Sequence, residues 1–383
     1  SALVRNGSVH VDGDLRVRAD LKISATSVVG LSSSELDSIL AQNASYARAD
    51  ARIVMPASGT VNHFVGGLLQ VAASDSTTAL SKGSLSTGGA WSSAFLGARN
   101  EVNHRADALM DNVIVTTGGG VQVLANTTQS LTTNLSGKVD GFLFSAANTL
   151  TLNEVVGGTT ARIQGGRLET AGDLSVVADN ASTIDSVNQA TVDGAGADSH
   201  VIAANVIGWS GLNASRATLA SISGFKSALG GQLTGSAGSA SPMETLASVV
   251  NTPLVVGGSA QVKALMRAAQ TSRVSSDVDG FFGGGSQVLA VQRANTRTQA
   301  WISPSSAATP VDGRTQVLKV NVGGALQVEA NDSSSILSNA TMSSAGGIAA
   351  VGGATVQNLV SQQVQATLDD LAIAAGGNLS VQA

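Results

Sequence analysis

The 383 residues exceed the roughly 250 at which a single core stops growing, yet only 3% are aromatic and 12% charged, against roughly 25% charged in ordinary soluble domains. Gly (44), with Ala, Ser, Thr, Val and Asn, supplies small side chains that suit thin stacked layers and not a deep globular interior. A hydrophobic share of 43% and a net charge of −5 exclude a disordered chain, scattered Lys and Arg exclude a nucleic-acid stripe, no apolar run is long enough to span a bilayer, and the absence of Cys removes disulfides, thiolate metal sites and Cys nucleophiles.

Along the chain a motif Φ-x-Val-x-Ala returns, starting at Leu15, Leu69, Val121, Leu174, Ala260, Leu326 and Leu379. Successive starts differ by 54, 52, 53, 86, 66 and 53, so a unit of about 53 residues carries two insertions. The central residues Val17, Val71, Val123, Val176, Val262, Val328 and Val381 are candidates for one aligned stack. Gly pairs such as Gly66-Gly67 and Gly376-Gly377 precede most copies and read as corners that use φ > 0. A second landmark is an Ala, as in Ala108 or Ala366, with Asn43, Asn100, Asn153 or Asn358 eight residues before it and Gln292 in a further copy. Apolar residues alternate between the two, the period of a strand. A third is Gly89, Gly141, Gly194, Gly280 or Gly346, twenty residues after the motif start; three follow Val-Asp, at Asp140, Asp193 and Asp279.

The pattern predicts an all-β parallel β-solenoid, a single array over 1–383, in which Asn43, Asn100, Asn153 and Asn358 form a hydrogen-bonded ladder. Each unit holds three strand-like segments, which leaves two turn sizes open: about 18 residues or all 53. Three segments depart from it. Ser32-Ser-Ser-Glu35 resembles a capping box and predicts a short helix over 33–42; the helical spacing of Leu212, Leu219, Ile222, Phe225 and Leu229 predicts a helical insertion over 206–240; Pro304 and Pro310 predict a loop insertion over 303–315.

Gly172-Asp-Leu-Ser-Val-Val-Ala178, and the stretch from Val356 to Ala383, resemble the repeats of giant bacterial filamentous adhesins of the leukotoxin and haemagglutinin type. Where the family pattern has a second Asn, this chain has His104, Gly157, Thr296 or Gln362. The resemblance implies a β-solenoid, secretion to the bacterial cell surface or extracellular matrix, and a stalk or adhesive role, with a surface or matrix glycan or protein as receptor. The chain starts just before one copy of the motif and stops at Ala383 as another is completed, so neighbouring repeats or identical subunits are expected to stack end to end.

Chemistry-bearing patterns are sparse. Asp140, Asp193 and Asp279 read first as turn residues before Gly; three narrow rungs per unit would hold them roughly 14 Å apart, too far to share an ion. His10, His63, His104 and His200 have no metal-ligand spacing, and Trp91, Trp209 and Trp301 read as packing anchors before sugar platforms. No catalytic, cofactor or metal residues are assigned. The expected role is therefore a non-enzymatic structural segment of an adhesin or surface filament; the alternative is a carbohydrate-active β-helix enzyme such as a polysaccharide lyase, hydrolase or epimerase.

Overall fold

The computed structural model describes residues 1–33, 36–55, 62–212, 237–304 and 317–383. Among these there is no helix. Seventeen strands join one large sheet in which all pairings are parallel. The second sheet is a two-stranded antiparallel ribbon of Trp209–Leu212 and Ala237–Ala240, with Ser210 opposite Ser239.

Long strands dominate: Leu69–Thr117, Val121–Thr170, Leu174–Ile207 and Ala260–Ser303. Each lies in register on the next, with Leu69 beside Val121, Val121 beside Leu174, Leu174 beside Ala260 and Ala260 beside Leu326. We call the stretches beginning at Leu15, Leu69, Val121, Leu174, Ala260, Leu326 and Leu379 layers one to seven. In-register partners are 52 to 54 positions apart in most of them, and 86 and 66 where the two insertions intervene.

Within a layer the chain bends and returns, so its first strand segment faces its second across a narrow interior. Ser81 of layer two bonds Asn100 of the same layer, and Leu96 sits against Gly83. Burial alternates along the first segment, inward Val, Ala, Leu and Ser/Thr against outward polar residues, and less regularly along the second, where Thr149 to Val156 are all buried. Small inward residues are what two close sheets accept, which accounts for the aromatic-poor composition. The largest cluster is built on Val71, Val123, Val176, Val262 and Val328 with the Ala residues two positions on. Smaller clusters follow, one around Leu131 and Ile184 and another around Leu96 and Val139.

Residues 36–42 are strand, not helix: Leu36–Val54 pairs with Ser93–Asp111 of layer two. The alternation Leu40 exposed, Ala41 buried follows a pleat, and parallel pairing along nineteen residues outweighs the weak local preference for a helix. The helix expected over 206–240 falls mostly on residues outside the described ones; at its described edges Val206 and Ile207 belong to a strand and 209–212 and 237–240 to the ribbon. The loop expected over 303–315 likewise lies almost wholly outside the described residues.

The corner glycines need a different explanation from φ > 0. Gly118 and Gly376 are not left-handed. A Cβ on either would collide with the carbonyl oxygen of Gly66 or Gly323 in the layer below, so the requirement is close interlayer approach at the corner. The corner amides follow the same stacking, Gly172 N–H donating to Gly119 O at 2.8 Å and Gly377 N–H to Gly324 O at 2.8 Å.

One interior residue is poorly served. His63 is 2% exposed and neither ring nitrogen has a hydrogen-bond partner; burial pushes its pKa below the usual value. The native state therefore refuses a proton that the unfolded chain accepts below about pH 6.5. Replacing His63 with Val is expected to raise stability by about 1 kcal/mol at pH 7, and by more as pH falls below 6.5, because only the wild type then loses stability; urea midpoints at pH 7 and below 6 check this.

Candidate functional site: the amide ladder and the aromatic corner

Three of the four predicted ladder Asn residues are joined directly. Asn43 Nδ2 donates to Asn100 Oδ1 at 2.9 Å, Asn100 Nδ2 to Asn153 Oδ1 at 2.9 Å, and Asn153 Nδ2 to Asn205 Oδ1 at 2.8 Å. Asn205 was missed by the Ala landmark because the larger insertion follows it at once; its position 52 residues after Asn153 would have found it. Gln292 and Asn358 continue the register column. Gln292 Nε2 donates to Leu337 O and Ser338 Oγ, and Asn358 Oδ1 accepts from Ser338 Oγ at 2.7 Å. Asn358 is exposed, having a layer on one side only.

A facing column of hydroxyls completes the ladder: Ser27, Ser81, Thr133, Ser186, Ser272 and Ser338, each in register with the next. All six stand ten positions after the central Val of the motif, a regularity readable in the sequence. Asn100 shows the result. Its amide donates to Asn153 and Thr133, and its oxygen accepts from Asn43 and Ser81, at 2.7 to 2.9 Å, which uses its full capacity of two donors and two acceptor sites. Val17, Val71, Val123, Val176, Val262, Val328 and Val381 are successive register partners. All are buried except Val381, at 46% exposed.

A second polar cluster crosses the core between layers one and two. Asp75 accepts from His104 Nδ1 at 2.8 and 3.0 Å and from Thr77 Oγ1 at 3.0 Å. With the proton on Nδ1, His104 Nε2 accepts from Ser45 Oγ at 2.8 Å. Serine, imidazole and carboxylate thus stand in the order of a nucleophile, its base and the base's orienting acid. Asp75 and His104 are fully buried, however, and Ser45 lies in a strand paired with layer two, so the cluster is an enclosed hydrogen-bonded set whose members satisfy one another.

The third assembly is the corner after the third Gly landmark. Asp140, Asp193 and Asp279 are direct register partners, so they are about 4.8 Å apart along the stack and not the roughly 14 Å expected of narrow rungs. Partial burial, a hydrogen bond with Asp140 and the charges of Asp140 and Asp279 raise the Asp193 pKa, with Lys138 opposing; Lys138 Nζ lies 3.0 Å from Asp140. Beside these carboxylates the chain exposes aromatic and aliphatic side chains: Trp91 in layer two, Phe142 and Phe144 in layer three, Phe281 and Phe282 in layer five, Ile348 in layer six. Trp91 stacks on Phe144, centroids 5.9 Å apart. Trp209 and Trp301 instead lie under the guanidinium groups of Arg293 and Arg162, at 5.3 and 6.0 Å. Among the remaining histidines, His10 stacks on Phe64 at 4.9 Å and His200 is near Asp198 at 3.8 Å.

Comparison with protein-family models, with curated proteins and with solved structures finds no match.

Two outcomes follow. Asn153→Ala strands the Asn100 and Asn205 amides and is expected to cost about 2–4 kcal/mol, whereas exposed Asn358→Ala stays within about 0.5 kcal/mol; urea unfolding of both separates them. A native Asp193 pKa above its unfolded value means that the carboxylate stack loses stability as pH rises from 3.8 through the raised value. Asp193→Asn should therefore melt above the wild type at neutral pH, with the gain vanishing once the pH falls below 3.8.

Proposed function

We propose that this chain is a parallel β-solenoid with one coil per unit of about 53 residues, and that it serves as a stiff, non-enzymatic segment of a large secreted adhesin or filament at the bacterial surface. The observation that carries the reading is the amide ladder. A column of Asn43, Asn100, Asn153 and Asn205 at matching bonds of 2.8 to 2.9 Å is an interior organised to propagate along an axis, and register offsets of 52 to 54 favour the wide coil over three narrow rungs. The interlayer contacts are long parallel ladders, shifted in register only at the corner near Gly89, Asp140 and Gly280 among the described residues, so bending the body means breaking many main-chain bonds together; that is the property of a spacer.

End-to-end stacking has its own support. Ser335–Gly346 and Ala350–Leu368 pair with layer five on one side only, and a parallel strand edge is a template for another strand. Identical subunits or neighbouring repeats supply it. A surface or matrix glycan or protein is the receptor in this reading, and projecting side chains on the outside of the coils are where it binds.

Small-angle scattering tests the architecture. Seven wide coils give a body roughly 35 Å along its axis, lengthening in steps of that size with concentration if ends stack. A rod near 100 Å that persists on extrapolation to zero concentration, at the mass of one chain, would overturn the wide coil. Cleavage of a polysaccharide that is lost on Asp140→Asn would overturn the non-enzymatic role.

A further inference from the structure

The outer surface beside the aromatic corner holds a groove of about 620 Å³, within the range of small-ligand sites. It crosses layers four to six. Phe144 of layer three forms one wall, its ring leaning over Gly196. Layer four contributes Asp198, His200 and Ile202, layer five Gln287 and Leu289, and layer six Thr355. The hollow exists because Gly285 and Gly353 put no side chain where neighbouring layers have Asp198 and Gln287.

The outward columns explain the mixed lining. Ile202 pairs with Leu289 to make an apolar floor, and His200 pairs with Gln287 to make a polar strip next to it. His200 is 9% exposed, so its imidazole is fixed in the wall and not a mobile surface group. Asp198 brings the groove's one carboxylate, and no Lys or Arg is among its lining residues. An anionic ligand would meet uncompensated negative charge.

We propose that this groove binds an uncharged pyranose of a neutral glycan. A sugar ring presents a C–H face that packs against an exposed aromatic ring, and a rim of hydroxyls that both donate and accept. Phe144 matches the face. Asp198 accepts from hydroxyls, Gln287 does both, and Thr355 supplies a further hydroxyl. Three layers span on the order of 10–15 Å, room for two sugar units. Sialylated and uronic sugars are rejected by Asp198. This inference deepens the adhesive part of the function proposed above by giving its glycan receptor a site, and it stands or falls separately from the spacer: a chain with the expected scattering profile that ignores sugars loses the groove and keeps the coil.

Saturation-transfer NMR on the whole chain, with lactose, maltose and N,N′-diacetylchitobiose as neutral probes and 3′-sialyllactose as the anionic one, tests it. At least one neutral disaccharide is expected to bind at millimolar concentration and sialyllactose not to. Phe144→Ala and Gln287→Ala, which change exposed positions in different layers, should each weaken binding about tenfold or more. Phe281→Ala, at the same corner but outside the groove, should leave it unchanged. Circular dichroism confirms that each variant is folded; should one not be, the other decides. No binding of any neutral probe at about 10 mM, binding that survives the groove variants, or equal binding of sialyllactose would each overturn the assignment.

Discussion

In-register parallel stacking is the constraint on which this molecule depends. When every layer lies on the next at about 4.8 Å, the vertical neighbours of an inward side chain are its own counterparts, so a column must be made of groups that tolerate themselves. Val and Ala do so by packing. Among polar side chains the primary amide does so best, because it carries donor and acceptor at opposite corners and can hand one bond to the next copy. Asn100 then has one N–H and one lone pair left, and Thr133 and Ser81 take them. The narrow interior is narrow because the hydroxyl must reach the amide across it. Polar columns and thin cross-section are thus one solution, and the low aromatic content follows from both.

Columns that break the rule show what it costs. His104 stands between Ala47 and Gly157 in its column, and Asp75 between Leu21 and Thr127 in its own. Neither has a vertical partner of its kind. They pair across the core instead, with Thr77 and Ser45 taking the remaining positions. Gly157 is part of the arrangement: it adopts φ +127, and a side chain there would collide with the His104 carbonyl. His63 has found no such partner, and its buried nitrogens remain unpaired. A lone polar residue in a stacked interior is either matched from the opposite wall or destabilising.

This also decides what could be read in the sequence. Like-on-like columns repeat at a fixed interval, so the Val stack, the Asn column and the glycine corners were legible. Asn205 was hidden only by the insertion that displaces its landmark, and the hydroxyl column by the variation between Ser and Thr. The Asp75–His104 pair was not legible: 29 residues separate two different residue types, and nothing repeats. The width of a coil was likewise undetermined, since a unit with three similar strand segments is compatible with either turn until the register is known. The helix expected over 33–42 failed for a related reason, because Glu35 and Leu36 describe a local preference while the neighbouring layer dictates the pairing.

The outside obeys no such rule. Outward columns mix freely, as in Ala146, Asp198, Gly285 and Val351, because water, not a counterpart, satisfies each side chain. A stacked array is therefore uniform within and can be specific only without, and specificity must arise where adjacent layers differ. The corner is such a place. Layers three and five raise phenylalanines there while layer four has Gly194-Ala195-Gly196, so the aromatic row is interrupted and a hollow opens beside Phe144. Regular aromatic residues in every layer would have produced a flat ridge with no enclosed volume. The interruption of the repeat, and not the repeat, is what makes a site on this molecule.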